Sequence, residues 1–280
     1  LNPPAHWLQN ANDPPWSVTS PAAFSPAQFP PWMSPQTMSF RAQRSMRMIT
    51  QADRITFEAF RDSKLSTRSE LADRILDDLI AAARARGRAR EAVAVLEAWD
   101  HEARAESRGA VLFFAWARLF QREQHRFATP WSAAAPLATP DGLADPARAV
   151  ALLEQAAAET RAAYGQLDVP FGEVYRLRWP GGIDLPGHGA SGQYGVFRVT
   201  DYLPTQDGRY RAFQGDSFVA LVEFSDPLRA EVLLSYGNAS IPGSPHNGDQ
   251  LRLYSQGQLR TAWRTREAIA PHLASREVLQ

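Results

Sequence analysis

Nine prolines fall within the first forty residues (Pro3, Pro4, Pro14, Pro15, Pro21, Pro26, Pro30, Pro31 and Pro35), and no other feature of the chain restricts its folding so strongly. Proline fixes φ, removes a backbone donor and disfavours helix in the residue before it, so this stretch can be neither a regular helix nor a central strand. The same stretch carries Trp7, Trp16, Phe24, Phe29 and Trp32. Disordered Pro-rich linkers are poor in aromatics, because large rings gain most from burial. Residues 1–39 are therefore expected to form an ordered, irregular loop lying on a protein surface.

The pattern then changes period twice. Thr67-x-x-Glu70 reads as a capping box, followed by Leu71, Ile75, Leu76, Leu79 and Ile80 on one helical face and by Gly87 as a stop. Further helices are expected through Val93, Leu96 and Trp99, through Val111, Phe114, Trp116 and Phe120, and from Asp145 or Pro146 to Gly165. Beyond Val169 the alternation has period two, with strands expected around 174–179, 195–200, 217–224 and 231–236 and a last helix around 265–272. The chain thus divides into the loop 1–39, a mainly helical region 40–168 and a mainly β region 169–280 with a C-terminal helix. This order argues for an α+β arrangement, or for pieces of one larger domain added to a sheet whose other strands lie upstream.

Composition excludes several classes. Thirty basic residues balance thirty acidic ones, so the chain has no electrostatic footprint for nucleic acid. The absence of cysteine rules out disulfides, thiol catalysis and thiolate metal sites. No apolar run approaches the roughly 20 residues that span a bilayer. A chain opening on Leu1-Asn2-Pro3-Pro4, without an initiator methionine, is expected to be a fragment or a processed piece. No nucleophile elbow, zinc-protease, P-loop or dinucleotide motif is present. His101 and His125 lie in charge-rich helical surroundings and are expected to be solvated.

The segment Trp7-Leu8-Gln9-Asn10-Ala11-Asn12-Asp13-Pro14-Pro15-Trp16 is of a different kind. A short apolar run leads into two asparagines and is stopped by Asp-Pro-Pro, which fixes the exit dihedrals. A primary amide held there can aim a neutral N–H donor at a developing oxyanion without competing as a base, or it can simply close an Asx turn.

The phrase Trp7–Trp16 closely resembles the "QN-x-N-x-x-PW" segment of the penicillin amidase family. The run Leu234-Ser235-Tyr236-Gly237-Asn238 to Pro242-Gly243-Ser244-Pro245-His246, then Asp249-Gln250, looks like that family's C-terminal signature. Between them, Arg41-x-x-Arg44-x-x-Arg47-Met48-Ile49 is similar to its arginine-bearing helix start, and Gly215-Asp216-Ser217-Phe218 resembles its "GDSF" strand. Within the family the ending looks most like the branch of acyl-homoserine lactone and aculeacin-type acylases.

The resemblance implies the αββα sandwich of N-terminal-nucleophile hydrolases, with this chain as the C-terminal part of the large subunit and a helical excursion from the sandwich. It implies hydrolysis of an acyl amide by an N-terminal serine that is not in this chain. An internal serine cannot replace it, because its nitrogen is tied in a peptide bond and cannot act as base. Asn12 matches the family's oxyanion-hole side chain and Asn10 its neighbour. Arg41 matches the active-site arginine, with Arg44 as competitor, and Trp16 is a candidate substrate contact. The partners implied are the upstream part of the large subunit, the small α subunit of the same precursor and a small acyl amide. No cofactor or metal is assigned to this chain; calcium, common in the family, would use upstream ligands. A periplasmic or secreted location follows from the same resemblance. Ser235, His246 and Asp249 could be drawn as a triad, but a loop rich in glycine and proline uses such groups to satisfy its own backbone. The rival reading is a non-catalytic module whose Trp7, Trp16 and Trp32, with the β half, hold an apolar or sugar ligand.

Overall fold

A computed structural model of the chain describes residues 2–52 and 54–278. They form two compact units, one ending at Gly215 and one beginning at Asp216.

The first unit is organised around helices. After the Pro-rich segment come α1 (Phe40–Thr50), α2 (Phe57–Lys64), α3 (Glu70–Ala85), α4 (Arg90–Glu97) and α5 (Ala110–Phe120). Strands β1 (Phe127–Thr129) and β2 (Asp141–Leu143) pair antiparallel, and α6 (Pro146–Tyr164) and the short α7 (Phe171–Val174) follow. A four-stranded sheet closes the unit, built from β3 (Tyr175–Trp179), β4 (Ile183–Pro186), β5 (Thr200–Pro204) and β6 (Tyr210–Gly215) in the order β4-β3-β6-β5, with β3 and β6 parallel.

Helix α5 is the centre of this unit. Every residue in it except Arg118 is buried, and Leu112, Phe113 and Trp116 are fully excluded from solvent. Each such side chain contributes about 1.5–3 kcal/mol by leaving water. Trp116 also donates its indole N–H to the Ala149 carbonyl of α6 at 3.0 Å, so the one polar atom it buries is satisfied. Helix α6 keeps its expected limits. Asp145 accepts from Arg148 N as the N-cap, Pro146 occupies the first turn and Gly165 ends the helix in the left-handed region.

Two expectations shift. The hydroxyl that caps α3 belongs to Ser69, which accepts from Ala72 N, while Thr67 turns to the Glu102 carboxylate. Glu70 is then free to enter the interior, 1% exposed, where Arg47 (2.8 Å) and Arg74 (3.2 Å) pair with it. A buried carboxylate requires such partners. The strand expected at 195–200 begins only at Thr200; before it Gly192–Tyr194 makes a tight turn against α1 and α3.

The second unit is β7 (Phe218–Glu223), β8 (Arg229–Leu234), α8 (Leu251–Ser255), β9 (Arg260–Thr261) and α9 (Arg266–Ile269), with the sheet order β7-β8-β9, all antiparallel. Strand β7 buries Val219 and Leu221 but leaves Phe218 and Val222 exposed, with Phe224 beyond its end 91% exposed. A strand apolar on both faces has the composition of one covered on both sides.

Candidate functional site

Segment 9–18 is a closed loop braced by its own polar groups. Gln9 N donates to the Val18 carbonyl (2.8 Å), and the buried Gln9 side chain donates to the Ser17 carbonyl (2.7 Å). The Ser17 hydroxyl returns to the Pro14 carbonyl at 2.8 Å. Pro14 and Pro15 lie inside this loop and limit its dihedral freedom.

The two asparagines divide the work. Asn10 makes the Asx turn, its Oδ1 accepting from Asn12 N at 2.8 Å. Asn12 has φ +67°, a left-handed conformation that asparagine tolerates better than most residues, and its side chain takes no part in that turn. Instead Arg41, in the first turn of α1, donates one Nη2 to both the Ala11 carbonyl (2.8 Å) and Asn12 Oδ1.

A guanidinium can only donate, so it fixes which end of the Asn12 amide faces it. The oxygen turns to Arg41, and the exposed Asn12 presents Nδ2, which has no partner among the described residues. Asp13 aligns the two elements. Its Oδ1 accepts from Ser39 N (3.4 Å) and from the Ser39 hydroxyl (3.1 Å), and Ser39 is the N-cap of α1. Burial raises the Asp13 pKa above the ordinary carboxylate value, and the Ser39 hydrogen bonds and the Arg41 charge only partly offset it.

Gly192 allows Arg41 to reach across. A Cβ at Gly192 would lie 3.0 Å from Arg41 Nε and 3.1 Å from its Cδ, so a side chain there would require the guanidinium to give way by a few tenths of an ångström. Arg44, the competitor, points elsewhere, towards Asp73 at 3.8 Å. Burial lowers the Arg44 pKa, which the Asp73 charge counters in part. Arg47, six residues after Arg41, lies on another face of the helix and ties α1 to Glu70 and to the Leu137 carbonyl (2.8 Å). The register of arginines thus separates one that meets Asn12 from one that anchors the helix.

The tryptophans have separate surroundings. Trp7 packs on the small cluster of Ala11, Met38, Ala42 and Met46, and Trp32 stands 84% exposed. Trp16 walls a cavity of about 290 Å³ together with Phe24, Met38, Met46 and Trp131. A wider cleft of about 630 Å³ opens beside Ser39, Phe40 and Gly192, with the exposed His125 on its edge. His101 is not solvated as expected: its Nδ1 lies 2.6 Å from Asp73 Oδ1.

Ser235, His246 and Asp249 do not assemble a triad. The buried Ser235 donates to the Asp216 carbonyl, and His246, its side chain 65% exposed, pairs with Asp249 at 3.1 Å. Gly237 shows what the motif is for. Its φ is +88° and a Cβ there would fall 2.2 Å from the His246 carbonyl, so the two halves of the signature close on each other. Gln250 completes the closure, accepting from Leu234 N (3.0 Å) and donating to Asn238 (2.9 Å). Among the described residues no three His, Asp or Glu side chains gather as a metal site. Among the described residues no helix is long and apolar enough to cross a membrane.

The penicillin amidase family model matches residues 1–271. The chain belongs to that family. Among its penicillin amidase relatives, an acyl-homoserine lactone acylase PvdQ of Pseudomonas fluorescens (strain Pf0-1) is 28% identical over 172 residues, covering 58% of this chain and 22% of the relative. A PvdQ of Pseudomonas savastanoi pv. phaseolicola is 26% identical over 271 residues, covering 90% of this chain and 34% of the relative. The chain therefore spans at most about a third of the length of these curated relatives. A thermostable penicillin G acylase from Alcaligenes faecalis superposes over the whole chain and 57% of its own length, with TM-score 0.50 and 17% sequence identity, and so shares the fold. The penicillin amidase membership confirms the resemblance carried by the two terminal motifs.

Asp13 and Gly192 were not singled out by sequence. Asp13 read only as part of the stop before Pro14, though Ser39 ahead of Phe40 carries the ordinary signal of a helix N-cap and hence of a group that Asp13 could meet.

Proposed function

We propose that this chain is the C-terminal part of an acylase that hydrolyses the amide bond of N-acyl compounds, and that Asn12 Nδ2 donates to the oxyanion formed on the scissile carbonyl. The observation that carries it is the Arg41 guanidinium on Asn12 Oδ1, which leaves Nδ2 as an oriented, unused donor at an exposed edge. Such a donor, fixed before the reaction, stabilises developing charge without reorganisation at the moment of attack.

In this reading a serine at the N-terminus of the large subunit, outside this chain, attacks the carbonyl carbon. Its proton passes to its own α-amino group and then to the leaving nitrogen, and water releases the acid from the acyl-enzyme. Arg41 touches no reacting atom; it is a positioning residue. The exposed apolar row of Phe218, Val222 and Phe224 supports a partner segment from the same precursor, which would cover it. The acyl-homoserine lactone acylase relatives favour acylated homoserine lactones among the substrates, and the family resemblance implies a periplasmic or secreted protein matured by cleavage.

The test is Asn12→Ala in the complete, matured enzyme. Loss of one oxyanion donor lowers kcat by about a hundred- to a thousandfold, with a smaller change in KM. Asn12→Asp is expected to be at least as damaging, because a carboxylate repels the oxyanion. A matured Asn12→Ala enzyme with near-wild-type kcat would remove the role.

A further inference from the structure

The cavity walled by Trp16, Phe24, Met38, Met46 and Trp131 is not used by the oxyanion reading, and it has the architecture of a ligand site. Its floor is apolar, with Met38 and Met46 buried, while the polar residues Ser20, Gln36 and Thr37 stand exposed at its rim. Among the described residues no ionisable side chain lines it. Its volume of about 290 Å³ lies at the small end of ligand pockets, which start near ~300 Å³.

One polar group in the lining is both buried and unpartnered. Thr19 is 2% exposed, it lines the cavity, and its Oγ1 is buried without a hydrogen-bond partner among the described residues. The neighbouring Ser17 hydroxyl, by contrast, is committed to the Pro14 carbonyl at 2.8 Å. Buried hydroxyls are almost always paired, and an orphan beside a cavity can be satisfied by a partner that enters it.

We propose that this cavity binds a small, uncharged, largely apolar group carrying a single oxygen function, which hydrogen-bonds to the Thr19 hydroxyl. The absence of charged lining residues excludes an ammonium or a carboxylate, since an unpaired ion leaves water at high cost. Two sources have this chemistry: the acyl group of a substrate, in which case the inference rests on the proposed acylase reading, or a free small molecule. The cavity shares Met38 and Met46 with the cluster that also contains Ala11, whose carbonyl holds Arg41, so an occupant would sit behind the Asn12–Arg41 pair.

The test uses the complete protein and 2-phenylethanol, with 2-phenylethylammonium as the size-matched cation, and Kd is read by calorimetry. The alcohol is expected to bind saturably and the cation at least about tenfold more weakly. Thr19→Val, which keeps the shape and removes the hydroxyl, is expected to weaken the alcohol about tenfold, and Thr19→Ser to restore most of it. Ala133→Trp, placed at an exposed lining position, is expected to abolish binding by filling the cavity. No saturable binding, as when another segment of the complete protein fills the cavity, overturns the proposal, and so does equal binding by wild type and Thr19→Val. Where the alcohol raises KM for an acyl amide at constant kcat, the acyl group is the natural occupant; where it binds without altering KM, the occupant is a free molecule. A protein that binds the alcohol yet hydrolyses no acyl amide would keep this site and remove the acylase reading.

Discussion

Helix α5 and the segment from Gln9 to Trp16 sit in one unit and are held in opposite ways. In α5 all but Arg118 is buried, and Trp116 touches both Phe113 and Phe120 with ring centroids 5.6 and 4.7 Å apart. In the segment, Asn10 and Asn12 face solvent, and position depends on a handful of hydrogen bonds from Ser17, Ser39 and Arg41. Apolar contacts are many and interchangeable, so losing one costs stability and leaves direction unchanged. Hydrogen bonds are few and directional, so losing one costs orientation and little stability. If this contrast holds, substitutions in the two regions separate folding from turnover.

The largest effect is expected at Trp116. Trp116→Ala empties a fully buried site and leaves the Ala149 carbonyl without its indole donor. Such truncations cost about 3–5 kcal/mol. Denaturant unfolding of the complete protein should show that loss, while kcat per matured molecule stays close to wild type. A stable Trp116→Ala protein, or one with normal stability and depressed kcat, would break the comparison from the core side.

Arg41 tests the other side. Arg41→Ala frees the Asn12 amide to turn over, and a hydrogen bond to a charged group corresponds to about ten- to a hundredfold in an equilibrium. A fall in kcat of that order is expected, with Tm nearly unchanged. Arg44→Ala, three residues on, removes the contact with Asp73 and no contact with Asn12, and is expected to leave kcat alone. Arg41→Lys should rescue poorly, because a single ammonium cannot reproduce the planar fork. Equal effects at Arg41 and Arg44 would mean that the helix start matters only as a helix.

The same contrast explains what sequence could tell. Burial leaves a periodic trace, so α3 and α5 were readable from positions such as Leu71 and Trp116, and α6 was readable from its caps, Asp145 and Gly165. Where several residues could serve one local role, tertiary partners chose between them. Thr67 and Ser69 can both cap α3, and the choice fell to Ser69 because Glu102 takes Thr67. The stretch 195–200 alternates like a strand, yet at Gly195 a Cβ would fall 2.5 Å from Glu70 Cβ, and the tight turn ending there delays the strand to Thr200. Of the site, Asn12 and Arg41 were legible as motif residues. The Asp13–Ser39 link spans 26 residues and leaves no local pattern.

His188 lies between the two regimes, a polar group that is largely buried, and it is expected to have the smallest effect at neutral pH. Its Nδ1 accepts from the Arg198 guanidinium at 2.9 Å, which requires a neutral ring. Burial, then the positive charges of Arg198 and Arg104, push its pKa from 6.5 down to about 3. Between those values the unfolded chain binds a proton at this site and the folded chain does not. Linkage then fixes the sign: stability contributed by the neutral ring is fully present above pH 6.5 and is lost progressively as pH falls towards about 3. His188→Gln removes the titration and keeps an oxygen that can accept from Arg198. Tm measured from pH 7 to pH 4 should therefore fall more steeply for wild type than for the variant, with the two curves closest at pH 7. Parallel curves would show that His188 is as freely protonated in the folded protein as in the unfolded chain, and would place it with the exposed, weakly held groups instead of the buried ones.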